Sequence, residues 1–79
     1  MENENTRPMT FGEKAVEINF NQENNAEVDE VNKLYAAVID KLNDMRGENR
    51  NEQARRMSIA ITQAEIAQLC AVKAIEWKD

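Results

Sequence analysis

Seventy-nine residues carrying fifteen acidic and ten basic side chains, a net charge of −5, no histidine and a single cysteine describe one small domain with no internal disulfide and no standard zinc-site spacing. So short a chain rarely buries enough apolar area to be comfortably stable alone, which leaves association with copies of itself as the remaining route to stability. The acidic balance opposes binding to duplex nucleic acid, which is driven by phosphate neutralisation. No apolar run reads as a signal peptide or membrane span, so a soluble protein is expected to stay in the compartment where it is made, and an unpaired Cys70 fits a reducing cytoplasm.

The charge is uneven. Residues 1–30 hold eight acids and two bases, whereas Arg46 to Arg56 holds four arginines against two glutamates, so a small anion has a local basic site to find.

Residues 1–9 read as a flexible leader that includes Pro8. An N-terminal arm follows over residues 10–26. Thr10-Phe11-Gly12-Glu13 has the Thr-x-x-Glu spacing of a capping box, which predicts a short helical turn starting near Phe11. Val16, Ile18 and Phe20 then alternate with Glu17 and Asn19, a period of two that suits an extended segment. Such a segment either plugs a hydrophobic groove or takes part in a ligand site.

From Glu27 the period becomes helical, and residues 27–79 read as a helical hairpin domain. Val28, Val31, Tyr35, Val38, Leu42 and Met45 recur at spacings of three and four, with Leu34 and Ile39 widening the stripe. This predicts one apolar face, closed off by Gly47 in the left-handed conformation. Asn49 or Asn51 can cap a second helix, with Glu52 in its first turn. A connection of so few residues predicts an antiparallel pair.

The second helix carries apolar residues on two opposed sides. At roughly 100° per residue, Met57, Ile61, Val72 and Ile75 fall on one side and Ile59, Ile66, Cys70 and Trp77 on the other, joined by a strip of alanines. A single-striped first helix covers only one side. Left wet, the other forgoes several kcal/mol at about 25 cal/mol per Å², comparable to the whole stability of so small a domain. The fold class expected is all-α: an antiparallel helical hairpin with a short N-terminal arm, assembled as a homo-oligomer.

The narrow polar sector of the second helix supplies the candidate binding residues. Arg55, at its start, presents a guanidinium that can bind two phosphate oxygens at once, or else pairs with Glu52 or Glu65. Ser58 and Thr62 either donate to a ligand or bond back to the preceding helical turn. Lys14, beside a Gly12 that permits close backbone approach, is a second cation or an ordinary solvated lysine, and Lys33 has the same standing. Phe11 either stacks on a base or anchors the short helix. Tyr35 and Trp77 read as packing. Catalysis has little support: Cys70 has no activating base in a recognisable spacing, no Gly-rich phosphate loop is present, and Glu65 and Glu76 read as surface charge. No cofactor and no metal are expected.

The stretch "RRMSIAITQAEIAQLCAVKAIEWKD" resembles the C-terminal helix of the small phage proteins that share the Acb/Tad hairpin domain. The matching positions are Arg55, Ser58, Ile59, Ala60 and Thr62, with Ala71-Val72-Lys73-Ala74 towards the end. "MTFGEKAV" from Met9 and "LYAAVIDKLND" from Leu34 resemble the N-terminal and first-helix segments of one branch of that family, so the likeness runs over about residues 9–79. Two departures stand out: Gln22-Glu23-Asn24 where that branch has Pro-Ser-Gly, and Asn32 where it commonly has lysine. The resemblance implies a phage-encoded sponge that acts in the cytoplasm of the infected bacterial host. Such a sponge sequesters cyclic di- or trinucleotide messengers of CBASS-type immunity without cleaving them and assembles as a helical oligomer, typically a hexamer, with messenger bound between subunits. The competing reading, from the residues alone, is a helical oligomerisation or adaptor protein with no small-molecule ligand.

Overall fold

A computed structural model describes residues 8–16 and 25–79. The described residues form three helices: α1 (Phe11–Ala15), α2 (Ala26–Arg46) and α3 (Glu52–Ile75). No strand occurs among the described residues.

Each helix starts where a side chain satisfies its free N–H groups. The Thr10 hydroxyl accepts from the Glu13 N–H at 3.0 Å and the Thr10 N–H donates to Glu13 Oε1 at 3.0 Å, the reciprocal capping box expected from the spacing. Asn25 Oδ1 accepts from the Glu27 and Val28 N–H groups, so α2 begins one residue before the expected Glu27. Of the two asparagines proposed for α3, Asn51 is the cap and accepts from the Ala54 N–H at 2.9 Å. Gly47 ends α2 with φ +54° and ψ −133°. The positive φ was expected, but ψ lies outside the left-handed helical region, in the range of the first central residue of a type II′ turn.

The two long helices run antiparallel. As α2 advances from Asn32 to Arg46, its hydrogen-bonded partner on α3 recedes from Gln68 to Ser58. Between those pairs, Ile39 and Ile61 join Val16 and Ala36 in one buried cluster, flanked by Ala15, Tyr35, Leu42 and Ala64. Val16, at the end of α1, therefore belongs to the core. The rest of the segment expected to be extended, with Ile18 and Phe20, lies outside the described residues.

The buried face of α2 is rotated from the one expected. Val28, Asn32, Ala36 and Ile39 are buried, whereas Leu34, Val38 and Met45 are 68%, 51% and 50% exposed. The reason is α1, which packs on α2 beside Ala36 and Asp40 and draws that side of the helix inward. The expected single stripe is thus divided: Tyr35 and Leu42 flank the core, and Leu34, Val38 and Met45 are left to solvent.

On α3 the two-sided reading holds. Ile61 is buried and Met57, Val72 and Ile75 are half-buried, while Ile59, Ile66 and Cys70 are exposed. The helix stops at Ile75, short of the chain end, so Trp77 follows it, 72% exposed, with its indole N–H on Asp79. By length and composition alone, α3 is apolar enough to cross a membrane, which revises the expectation that no segment is. Only 11% of its most apolar window is buried, so packing within the hairpin does not account for that apolarity.

Two of the polar contacts between helices fix how they pack away from the turn. Gln68 Nε2 donates to Asn32 Oδ1 at 2.6 Å, and both side chains are buried. The Gly12 N–H donates to Asp40 Oδ1 at 2.7 Å, putting a carboxylate at the start of α1. Gly12 is required there because a Cβ would overlap the Ala36 carbonyl oxygen.

Gly12→Ala should lower unfolding free energy by about 1–3 kcal/mol in urea denaturation, because overlap with backbone forces α1 off α2. Gln68→Leu should cost about 1–3 kcal/mol by stranding a buried Asn32, and pairing it with Asn32→Leu should recover most of that loss. A double variant no more stable than Gln68→Leu would argue against this account of the pair.

Candidate functional site

Three of the candidate binding residues, Phe11, Arg55 and Ser58, come together at the end of the hairpin where α2 turns into α3. Arg46 organises this region. It lies in the last turn of α2, where a cation is favoured by the free carbonyls of the helix terminus. Its Nη2 donates to Asn43 Oδ1 at 2.6 Å, its Nη1 donates to Ser58 Oγ at 2.8 Å, and its guanidinium carbon sits 5.6 Å from the centre of the Phe11 ring. One side chain thus links all three helices. The ring contact is worth about 0.5–1 kcal/mol at a partly exposed site.

Ser58 accepts from Arg46 and donates to the Ala54 carbonyl at 3.2 Å, the bond back to the preceding turn that was one of its two expected roles. Phe11 is 43% exposed with Arg46 over its ring. Thr62 is exposed one helical turn beyond Ser58.

Arg55 is engaged by Glu52. Its Nε donates to Glu52 Oε1 at 2.9 Å and its Nη2 to Oε2 at 2.7 Å, a fork that occupies both carboxylate oxygens. Arg56 Nε reaches the same Oε2 at 2.8 Å. The Arg55 guanidinium, and then that of Arg56, hold the Glu52 carboxyl below its ordinary value, and Glu52 raises the Arg55 pKa in return. The side chains of Arg55 and Glu52 are 61% and 57% open, so solvent screens the pair and its contribution to stability is small.

The remaining candidates lie elsewhere. Gly12 makes its close approach to the α2 backbone at Ala36. Lys14 is exposed on α1. Lys33 is exposed on α2, thirteen residues before Arg46 and so roughly 20 Å away along the helix axis. The described geometry therefore gathers Phe11, Arg55 and Ser58 near Arg46 and leaves Lys33 apart.

A shallow cleft of about 200 Å³ opens at the turn, lined by Arg46, Asn49, Arg50, Asn51, Arg55 and Ser58 among others. Arg46, Asn49 and Arg50 were not among the sequence candidates. The signal that finds them is the arginine-rich composition between Arg46 and Arg56, once the turn folds that segment back on itself. A second hollow of about 380 Å³ is lined by Val16, buried Gln68, Leu69, Cys70, Val72, Lys73 and Glu76. No cluster of metal-ligating side chains occurs among the described residues.

Because its folded pKa is lowered, Glu52 contributes stability above its unfolded pKa and loses it as pH falls through the folded value. Carbon-detected NMR titration should place its midpoint below the ordinary 4.5, and Arg55→Ala should raise that midpoint more than Arg56→Ala. Comparison of the chain with protein-family models, with curated proteins and with solved structures finds no match, so the chemistry and placement of its own residues carry the functional argument.

Proposed function

We propose that this chain is a phage anti-defence protein that binds cyclic di- or trinucleotide immune messengers and sequesters them uncleaved, inhibiting CBASS-type signalling in the cytoplasm of the infected bacterium. The observation that carries this reading is the grouping of Arg55, Ser58 and Phe11 around Arg46 at one end of the hairpin. A cyclic oligonucleotide presents phosphates, base faces and base edges, and these side chains are a fork-shaped cation, a hydroxyl and a flat apolar ring. The likeness of the Arg55–Thr62 pattern to the Acb/Tad hairpin family supports the same ligand class.

The active species is a homo-oligomer, a hexamer on the family resemblance. Support comes from the imbalance of apolar surface. Leu34, Val38, Met45, Ile59, Ile66, Leu69 and Trp77 are all about half or more exposed in a single copy, while the buried apolar side chains larger than alanine among the described residues are Val16, Val28, Ile39 and Ile61. Covering such residues at roughly 25 cal/mol per Å² stabilises the assembly by several kcal/mol. Cyclic symmetry would also bring several copies of Arg55 around one axis, offsetting the acidity of each chain for a polyanionic ligand. The proposed mode of action is stoichiometric binding, without catalysis and without a cofactor.

The same exposed surface favours a second reading, a helical adaptor whose outer face receives a partner helix and which binds nothing small. Calorimetric titration with a panel of cyclic di- and trinucleotides and cyclic ADP-ribose isomers separates the two. Sequestration predicts binding, followed by recovery of intact ligand after heat release. A cleaved product would replace sponge with enzyme, and silence across the panel would leave the adaptor. Arg55→Ala should abolish binding while light scattering reports an unchanged oligomer, since Arg55 holds only exposed Glu52 among the described residues. Full-affinity binding by this variant would remove Arg55 from the site.

A further inference from the structure

Three arginines line the cleft at the hairpin turn, and they differ in how firmly they are already held. Arg46 spends its guanidinium on Asn43, Ser58 and the Phe11 ring. Arg55 is forked onto Glu52, which also takes Arg56. Arg50 makes no hydrogen bond or ion pair with any described residue. It sits on the connection between α2 and α3, exposed, beside the amide side chains of Asn49 and Asn51.

We infer that the turn cleft is a phosphate site in which Arg50 is the first cation to engage and Glu52 is a built-in competitor that holds Arg55 and Arg56 until a stronger anion displaces it. The inference rests on the reading of Arg55 as a ligand-binding residue and adds to it Arg50 as an anchor and Glu52 as a restraint. Geometry supports the exchange. Glu52 presents two oxygens to the Arg55 fork at 2.9 and 2.7 Å, the arrangement that two phosphate oxygens reproduce. A cyclic di- or trinucleotide carries one negative charge on each of its phosphodiesters, whereas Glu52 offers a single charge. Such a ligand can offer the two oxygens of one phosphate to the Arg55 fork and a second phosphate to Arg50, which lies in the cleft with nothing to give up. Arg46 shapes the wall and stays fixed, because moving away would break its hydrogen bond to Ser58 across α2 and α3 and its bond to Asn43 within α2. The expected ligand class is therefore a molecule that carries two or more negative charges on the oxygens of linked phosphates, as a cyclic di- or trinucleotide does, and monovalent anions should bind poorly.

The test uses the full chain with inorganic pyrophosphate as probe, followed by calorimetry and by the arginine Nε–H signals in NMR at low salt. Pyrophosphate should shift Arg50 and Arg55 and leave Arg46 in place. Arg50→Ala should weaken binding roughly tenfold or more, the loss of one charge-assisted contact. Glu52→Gln removes the competitor and should tighten binding roughly three- to tenfold, the worth of two surface ion pairs. Circular dichroism melts should match the parent for Arg50→Ala and fall slightly for Glu52→Gln, which loses the small stabilisation of two exposed ion pairs while keeping the fold. Unchanged or weaker binding by Glu52→Gln would overturn its role as competitor, and unchanged binding by Arg50→Ala would overturn the anchor. Absence of pyrophosphate binding in both the parent and Glu52→Gln would overturn the site itself. Cyclic-nucleotide binding that survives such a result would locate the messenger elsewhere, whereas its loss only in Arg55→Ala would keep Arg55 and discard the cleft around it.

Discussion

A single buried amide pair sets how the two long helices slide past one another. Asn32 Oδ1 and Gln68 Nε2 meet at 2.6 Å between α2 and α3, both nearly closed to solvent. Apolar contacts such as Ile39 with its neighbours tolerate small shifts, because dispersion is weakly directional. A hydrogen bond between two short polar side chains does not, and a slip of one residue would leave both groups buried without a partner. With that register in place, Arg46 arrives opposite Ser58, and the arginines of the turn line one cleft.

The opposite constraint is steric. Gly12 allows the α1 backbone to touch α2 at Ala36, and Asp40 accepts the Gly12 N–H at that point. Phe11 is thereby carried to the side of Arg46, and Val16 into the core beside Ile39. A five-residue helix has little stability of its own, since nucleation fixes several dihedral angles for very few hydrogen bonds. Its place depends on this contact and on the capping box at Thr10. The stability of the core and the position of an aromatic ring at the candidate site are therefore coupled through one glycine.

Electrostatics at the turn are poised by self-pairing. An acidic chain keeps a cluster of four arginines between Arg46 and Arg56 and quiets much of it internally, through Asn43, Ser58, Phe11 and Glu52. These partners are unequal. Those of Arg46 span three helices, whereas Glu52 is an exposed neighbour on the same helix, held by contacts that solvent and salt weaken. Fixed cations and releasable cations are thus side by side, an arrangement suited to exchanging an internal carboxylate for an external anion.

Local signals in the chain were sufficient wherever the physics is local. The Thr-x-x-Glu cap, the short turn at Gly47, the asparagine before Glu52 and the two-sided apolarity of α3 can all be read from neighbours a few residues apart, and all are present in the fold. Which face of α2 turns inward could not be read that way. Periodicity ranked Val38 and Met45 above Asn32 and Ala36, because hydrophobicity is a property of single residues, while the choice of face belongs to the helix that packs there. The same holds at the site. Arg55 and Ser58 stood out by type and spacing, yet Arg46 acquired its role only when folding brought Phe11 and Ser58, distant in sequence from one another, within reach of a single guanidinium.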